Sequence, residues 1–490
     1  MFKIKNFKSA YNVNPSHFKL AYNVNKVYNI IAHRGDMMKF KRKIYQKLLE
    51  WKSEANGTKA LLIEGARRIG KSTIVEEFAK NEYESYMLID FSIASDDVKD
   101  YFKKYVHDID SLFMLLEAEY RIDLKRRKSL VIFDEVQFCP KAREAIKHLV
   151  KDGRYDYIET GSLISVKENV QGILIPSEER YVKMYPLDFE EFLWALDEKS
   201  LANLIRTFFK DLKPLPNQLH EKAMLLFRQY LLVGGMPQSI VAFLSNDKSF
   251  KYANIEKKDI LSLYRSDIMK ISSSYKNKVT AIFDQIPGFL SQHEKRVIFK
   301  EIQEGSRYDS YEDTFFWLSD SQISNECFLC NDPNVGLSLN EDRTYIKCYM
   351  GDTGLLVTHA FNDNEVIDND LYKEILTGDL NVNNGMLFEN AIAQALVANG
   401  YKLYFYTHYS EEKHRNDIEI DFIISNNSKI NYKIFPIEVK SGKKYQTKSL
   451  DRFVEKYKDR IGEAYVIHPR NLSKKENGII CIPAYMIYCL

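Results

Sequence analysis

Leu61-Leu62-Ile63-Glu64-Gly65-Ala66-Arg67-Arg68-Ile69-Gly70-Lys71-Ser72-Thr73 runs from an apolar stretch through a glycine-bracketed turn into a helical pattern. The spacing reads as a site for nucleotide phosphates. Ala66, Arg67, Arg68 and Ile69 lie between the two glycines, so the turn can aim successive backbone N–H groups at a phosphate while the next helix offers its positive N-terminus. Lys71 then reaches the β- and γ-phosphate oxygens, and the Ser72 hydroxyl, followed by Thr73, serves a Mg²⁺ ion.

Working outward, Tyr86-Met87-Leu88-Ile89-Asp90 reads as a second strand, with a largely helical stretch after it to about Leu124. Ser129-Leu130-Val131-Ile132-Phe133-Asp134-Glu135 is an apolar run that ends in two carboxylates. A buried parallel strand is continuous in apolar residues, and ligands gather at its carboxyl end. There Asp134 can hold Mg²⁺ through water and Glu135 can polarise an attacking water. Asp156-Tyr157-Ile158-Glu159-Thr160-Gly161-Ser162 supplies another short strand that ends in hydroxyls. Ser162, in preference to Thr160, is expected to sense the γ-phosphate or hold the water; a plain strand followed by a Gly-Ser turn is the alternative.

The chain of 490 residues is too long for one ordinary core and suggests about three domains. Its 70 basic and 68 acidic side chains nearly cancel, so overall charge argues neither for nor against nucleic acid. The run Lys125-Arg126-Arg127-Lys128 just before an apolar strand is read as a solvated helix end. Six cysteines without regular spacing fit a reducing compartment. Cys327-Phe328-Leu329-Cys330 has the spacing of half a zinc knuckle without its other half, and zinc is not expected. With no long apolar run and a polar continuation after Met1-Phe2-Lys3-Ile4-Lys5, the expectation is a soluble cytoplasmic protein without a membrane partner.

Residues 1–38, rich in Asn, Tyr and Lys, are read as a poorly ordered leader. Ala10-Tyr11-Asn12-Val13-Asn14 recurs there as Ala21-Tyr22-Asn23-Val24-Asn25, too short for a repeat architecture. A helix is expected from about Lys39 to Ser53, and a helical region over 201–305, interrupted at Lys213-Pro214-Leu215-Pro216-Asn217. Residues 306–384 suggest a small wing-bearing module with a helix around Phe315-Phe316-Trp317-Leu318 and a strand from Arg343 to Met350. Without a basic recognition helix, a packing role is favoured there over DNA reading.

Between Gly385 and Pro469 the pattern reads helix, strand, strand, helix, strand. Glu389 lies in the helical stretch, and Asp421 in Ile418-Glu419-Ile420-Asp421-Phe422-Ile423-Ile424. In Pro436-Ile437-Glu438-Val439-Lys440 the acid and the lysine are two apart on a strand and share a face. A charged strand face with a Glu–Lys salt bridge is the plain alternative, and Glu419 could replace Asp421.

Gly65-Ala66-Arg67-Arg68-Ile69-Gly70-Lys71-Ser72, Ile132-Phe133-Asp134-Glu135-Val136-Gln137, Thr160-Gly161-Ser162, Tyr185-Pro186-Leu187-Asp188-Phe189-Glu190-Glu191-Phe192 and Gly234-Gly235-Met236-Pro237 occur in this order. Together they resemble the prokaryotic AAA-type P-loop ATPases that carry a PD-(D/E)XK restriction-nuclease-like C-terminal domain, over about Lys39 to Pro469. The resemblance implies an α/β fold. A P-loop NTPase core with a parallel sheet of the additional-strand type (39–200) would precede a helical lid (201–305), a winged-helix-like module and linker (306–384) and an α/β restriction-endonuclease-like domain (385–490). It also implies that Arg180 contacts the γ-phosphate in cis or across a subunit boundary, with a structural salt bridge as the alternative, and that Pro237 packs near the adenine.

In the last domain the resemblance makes Asp421 and Glu438 ligands of a divalent metal, Glu389 an auxiliary ligand and Lys440 the residue that orients or activates water. The implied cofactors are ATP and Mg²⁺, with a second Mg²⁺ or Mn²⁺ in the C-terminal domain. The implied partners are DNA or another nucleic acid and further copies of the chain. ATP hydrolysis would then control a nuclease-like domain; the alternative is a nucleotide-gated switch or scaffold whose C-terminal domain recognises without cleaving.

Overall fold

Two sheets organise the chain in the computed structural model, which describes residues 39–161, 177–271, 275–334, 336–361, 372, 375–377, 384–412, 414–425 and 433–490. Lys41–Leu490 forms one compact unit, and of the preceding unit, Met1–Phe40, only Lys39 and Phe40 are described. The leader expected over 1–38 lies outside the described residues.

The first sheet is built from α1 (Ile44–Ala55), β1 (Ala60–Glu64), α2 (Lys71–Glu82), β2 (Ser85–Asp90), α3 (Asp96–Lys104), α4 (Ile109–Tyr120), β3 (Ser129–Asp134), α5 (Pro140–Asp152), β4 (Asp156–Gly161) and β5 (Glu179–Lys183). Its five strands run in the order β2-β3-β4-β1-β5, all parallel. The strand β4 separates β1 from β3, which is the additional-strand arrangement. Every residue of β1, β3 and β4 is buried, as expected of strands covered on both faces. Phe91, Phe102 and Phe133 fill one side of the sheet with edge-on contacts at 5.3–5.6 Å between ring centroids. The edge strand β5, Glu-Arg-Tyr-Val-Lys, has no counterpart in the sequence reading; its charged composition suits a sheet edge.

Helices follow: α6 (Phe189–Ala195), ahead of the helical region expected over 201–305, then α7 (Lys199–Lys210), α8 (Asn217–Val233), α9 (Pro237–Ser245), α10 (Phe250–Ile268), α11 (Lys276–Ser291), α12 (Phe299–Ile302) and α13 (Glu312–Asp320). The Pro186-Leu187-Asp188 turn enters α6 through a capping box between Asp188 and Glu191.

The second sheet comprises β6 (Ser324–Cys330), β7 (Glu341–Met350), β8 (Leu403–Ser410), β9 (Arg415–Ser425), β10 (Ile434–Val439), β11 (Tyr465–His468), β12 (Ser473–Lys474) and β13 (Ile480–Pro483), with α14 (Thr353–Ala360), α15 (Asn384–Ala398) and α16 (Lys448–Lys456) between them. The strand order is β12-β13-β11-β10-β9-β8-β6-β7, with parallel and antiparallel pairs mixed. The β6–β7 hairpin follows three helices, the order expected of a wing. It is not closed on itself, however: β6 pairs in parallel with β8, so the hairpin continues the C-terminal sheet across the boundary expected near 384. The cause is β8, which the sequence reading passed over. Its first four residues are all buried, so the alternation that signals a half-exposed strand is missing. Among the described residues, no helix is long and apolar enough to cross a membrane.

Candidate functional site

The phosphate turn closes tightly because Gly65 has no side chain: a Cβ there would lie 2.6 Å from the Met184 carbonyl oxygen. Arg68 and Gly70 both have positive φ, 68° and 91°, and α2 starts at Lys71. Lys71 is buried and donates to the carbonyls of Gly65 at 2.9 Å and Ala66 at 3.0 Å. Burial lowers its pKa, while the charges of Glu135 and Asp134 oppose the shift. Arg67 pairs with Asp267 of α10 at 2.7 Å, and the Ala66 N–H donates to the Gln322 carboxamide at 3.4 Å. Ile69 is fully buried and its carbonyl accepts from Arg42 at 3.0 Å.

At the end of β3 the two expected acids have separate surroundings. Asp134 is buried; its Oδ1 accepts from Ser72 Oγ at 2.8 Å and also from Thr160 Oγ1. Burial raises the Asp134 pKa against the hydrogen bonds from Thr160 and Ser72. A hydroxyl at the start of α2 beside a carboxylate at the end of β3 is a donor set suited to Mg²⁺. Glu135 follows in the left-handed region, φ 52°, with its N–H on Thr160 Oγ1 at 3.3 Å and its carboxylate accepting from Gln137 Nε2. That turn carries Glu135 away from the strand direction, while Asp134 stays against Ser72. Ser162 lies outside the described residues, and Thr160, the less favoured hydroxyl, is the one in contact with Asp134. Thr73 follows Ser72 in the first turn of α2.

Pro237 opens α9 above the phosphate turn: its Cγ is 3.7 Å from where a Cβ on Gly70 would stand. Gly235 meets the preceding turn so closely that a Cβ would come within 2.1 Å of the Leu187 carbonyl oxygen. Arg180 sits on β5 opposite Leu61 and pairs with Glu54 at 2.8 Å.

Three residues that the sequence reading missed tie this site to the rest of the chain. Arg42 also donates to the Tyr185 carbonyl at 2.6 Å and pairs with Glu191 at 3.2 Å, clamping the turn to the start of α6. Asp352, buried, accepts from the N–H groups of Gly235 at 2.6 Å and Leu355 at 2.9 Å. Gln394 on α15 donates to Asp352 at 3.4 Å and to the Tyr230 hydroxyl at 3.0 Å. Apart from the local cap of Leu355 by Asp352, each contact spans a long sequence separation, and no local pattern announces it.

The C-terminal set is brought together at the junction of α15, β9 and β10. Glu438 and Lys440 pair at 2.7 Å, and Asp421 Oδ2 accepts from the Val439 N–H at 2.7 Å. Glu389 is 2% exposed and accepts from Tyr349 at 2.5 Å; Lys295 and Lys347 also pair with it. Burial pushes the Glu389 pKa up, but the ammonium charges of Lys347 and Lys295 outweigh it and hold the group at about 2. Burial raises Glu438 to about 7 against the pull of Lys440, and raises Asp421, helped by the charge of Glu389. Glu419 instead accepts from Asn416 at 2.9 Å. Among the described residues, no group of three or more His, Cys, Asp or Glu side chains converges so as to hold a metal ion. Lysines stand among these carboxylates.

Residues 57–193 match the AAA domain, residues 224–365 a domain of unknown function (DUF8612) and residues 384–487 another domain of unknown function (DUF4143). An uncharacterized protein of Haemophilus influenzae is 24% identical over 155 residues, which are 31% of this chain and 37% of that protein. The chain thus spans little more than a third of that relative's length. Among solved structures, a Walker-type ATPase of Pyrococcus abyssi is similar at 17% identity over 66% of this chain and 96% of its own, with a TM-score of 0.37. Cdc6p from Pyrobaculum aerophilum is similar at 10% identity over 71% of this chain and 97% of its own, with a TM-score of 0.24. The AAA match falls on the parallel sheet and the phosphate turn, and that part of the chain is an AAA-type P-loop ATPase core.

Proposed function

We propose that the chain hydrolyses ATP with Mg²⁺ and that this nucleotide cycle controls the nuclease-like C-terminal domain, which acts on nucleic acid. The observation that carries the coupling is the buried run of contacts from Pro237 and Gly235, behind the phosphate turn, through Asp352 to Gln394 on the helix that also holds Glu389.

In this reading Lys71 leaves the carbonyls of Gly65 and Ala66 for the phosphates, and the turn's N–H groups donate to the phosphate oxygens. Ser72 and Asp134 would hold Mg²⁺, which supplies charge stabilisation during phosphoryl transfer. Thr160 fixes the orientation of Asp134, and Glu135 takes the proton of the attacking water. In the C-terminal domain Asp421 and Glu438 would hold the divalent ion, and Lys440 would orient water. Further copies of the chain are proposed partners through Arg180.

Phosphate release by the purified chain tests the first half. Lys71→Ala should lower turnover by at least about 100-fold, and Glu135→Gln should keep ATP binding while lowering turnover by about 10²- to 10⁴-fold. Retained turnover in both variants sinks the assignment. Incubation with Mg²⁺ or Mn²⁺, ATP and varied DNA and RNA tests the second half. Cleavage that is lost in Lys440→Ala supports the nuclease; absence of cleavage supports a nucleotide-gated switch with a recognition domain. The engagement of Glu389 by two lysines favours that second reading.

A further inference from the structure

Two arginines stand in the phosphate turn, and the fold treats them differently. Arg68 is exposed, whereas Arg67 is half-buried and its Nη1 donates to both carboxylate oxygens of Asp267, at 2.7 and 3.0 Å. Both bonds come from one nitrogen, so the two-pronged geometry of a guanidinium is not spent on Asp267. Arg67 follows directly on the Ala66 carbonyl that accepts from Lys71 Nζ at 3.0 Å, and therefore leaves the backbone beside the ammonium that serves the β- and γ-phosphates. The two cations act on each other: burial lowers the Lys71 pKa against the charges of Glu135 and Asp134, and the charge of Arg67 lowers it further. An anion between them relieves that repulsion, and a guanidinium is well matched to phosphate oxygens.

Asp267 is placed so that losing Arg67 has a consequence. It is the last residue but one of α10, where a carboxylate meets the negative end of the helix dipole and depends on nearby cations. Its other cation among the described residues is Lys270, at 3.0 Å, whose side chain is 69% exposed and holds it weakly. The same helix is anchored at the Asp352 corner. Lys257 donates to the Gly354 carbonyl at 3.2 Å, and Asn254 accepts from Thr358 at 2.8 Å. Tyr264, also on α10, stands with its hydroxyl 3.5 Å from the Arg67 carbonyl. One helix thus touches the phosphate turn at its end and the route toward α15 along its length.

We propose that Arg67 is the side chain by which the protein tells ATP from ADP: its guanidinium leaves Asp267 for the γ-phosphate, and the last turn of α10 loosens around the deserted carboxylate. The inference rests on the reading of the turn as an ATP site. ADP uses the turn's N–H groups equally well, but it presents nothing beyond the β-phosphate for a side chain that extends past the turn, so with ADP the Arg67–Asp267 pair stays closed.

Calorimetric titration of the full chain with AMP-PNP and with ADP, each with Mg²⁺, tests this. Arg67→Gln should lose at least ~10-fold in AMP-PNP affinity and keep its ADP affinity within about twofold. Asp267→Asn should bind AMP-PNP more tightly, by about threefold or more, with ADP unchanged. On the unaltered chain, a measurement that does not depend on a variant folding, the amides from Tyr264 to Ile268 should exchange hydrogen at least ~5-fold faster with AMP-PNP bound than with ADP bound. Equal loss of both nucleotides in Arg67→Gln overturns the proposal and makes Arg67 a support of the turn. Exchange at the end of α10 that is the same with both nucleotides overturns it too, as does AMP-PNP affinity in Asp267→Asn at or below that of the unaltered chain. Absence of binding of either nucleotide to the unaltered chain overturns the ATP reading itself, a result that none of the other outcomes resembles.

Discussion

The phosphate-loop site and the C-terminal carboxylate cluster are both assembled at the ends of buried strands, yet their internal partners differ in kind. At the phosphate loop those partners are neutral except for Asp267, which pairs with Arg67: Ala66 N–H donates to a carboxamide at 3.4 Å, Lys71 donates to two carbonyls, and Asp134 accepts from two hydroxyls. Exchanging one such hydrogen bond for a ligand costs about 1 kcal/mol. At the cluster, Glu389 faces two ammonium groups, and taking one partner from a buried ion pair costs about 3–5 kcal/mol. The first site is ready to exchange ligands, and the second has to be unlocked. Two further buried lysines extend the contrast. Lys347 touches a carboxylate, and the charges of Glu389 and Asp421 overcome burial and raise its pKa. Lys257 donates instead to the carbonyls of Leu232 at 2.6 Å and Gly354 at 3.2 Å; burial prevails over the charge of Asp352 and lowers its pKa to about 7.

The largest effect that can break this contrast is the pH dependence of stability. The folded pKa of Lys257 lies below its ordinary value of 10.5, so between about pH 7 and 10.5 the unfolded chain binds more protons. Stability from this group therefore rises with pH across that window, by up to about 1.4 kcal/mol per unit. In urea unfolding at pH 7, 8 and 9, the unaltered chain should gain on Lys257→Met at each step. A constant difference would place Lys257 with Lys347, as a charged lysine at all these pH values. A smaller effect is expected at the phosphate loop. Gln322→Ala removes a neutral occupant of the Ala66 N–H, and fluorescent-nucleotide titration should show ATP affinity up to about fivefold higher, the equivalent of about 1 kcal/mol. Weaker binding would make Gln322 a ligand of the nucleotide.

What was legible in the sequence follows the range of the interactions. Gly65 to Thr73 and Ser129 to Glu135 declare themselves because a turn, a helix start and a strand end are local, and their spacing alone sets the chemistry. The strand β4 was also legible as a strand, and its place between β1 and β3 follows from the resemblance. Arg42, Gln322, Asp352 and Lys295 were not legible, since each acts on a partner far away in sequence. The face of β9 was read by strict alternation, but the pairing advances from Tyr404 to Tyr406 on β8 against Ile423 to Ile420 on β9, one residue more. That bulge puts Ile418, Ile420 and Ile423 in one core cluster, so alternation along Ile418–Ile424 does not hold through Asp421. A bulge depends on the neighbouring strand, and β8 was itself hidden by the burial of its first four residues.

Arg180 should give the smallest effect, and it tests whether the phosphate-loop site is complete within one chain. It stands opposite Leu61, three positions before Glu64 opposite Lys183, so it lies about 10 Å back along the sheet from the strand end that feeds the phosphate turn. Its partner is Glu54, and the two side chains are 45% and 62% exposed. An exposed pair of this kind contributes about 0–1 kcal/mol. In dilute solution Arg180→Ala should therefore change ATP turnover by less than about twofold and stability by less than about 0.5 kcal/mol. Turnover measured against protein concentration decides the rest. If the unaltered chain accelerates on concentration and Arg180→Ala does not, by a factor approaching about 10³, the guanidinium reaches the nucleotide of a neighbouring copy as an arginine finger does. If the two track each other at every concentration, Arg180 serves the edge of its own sheet.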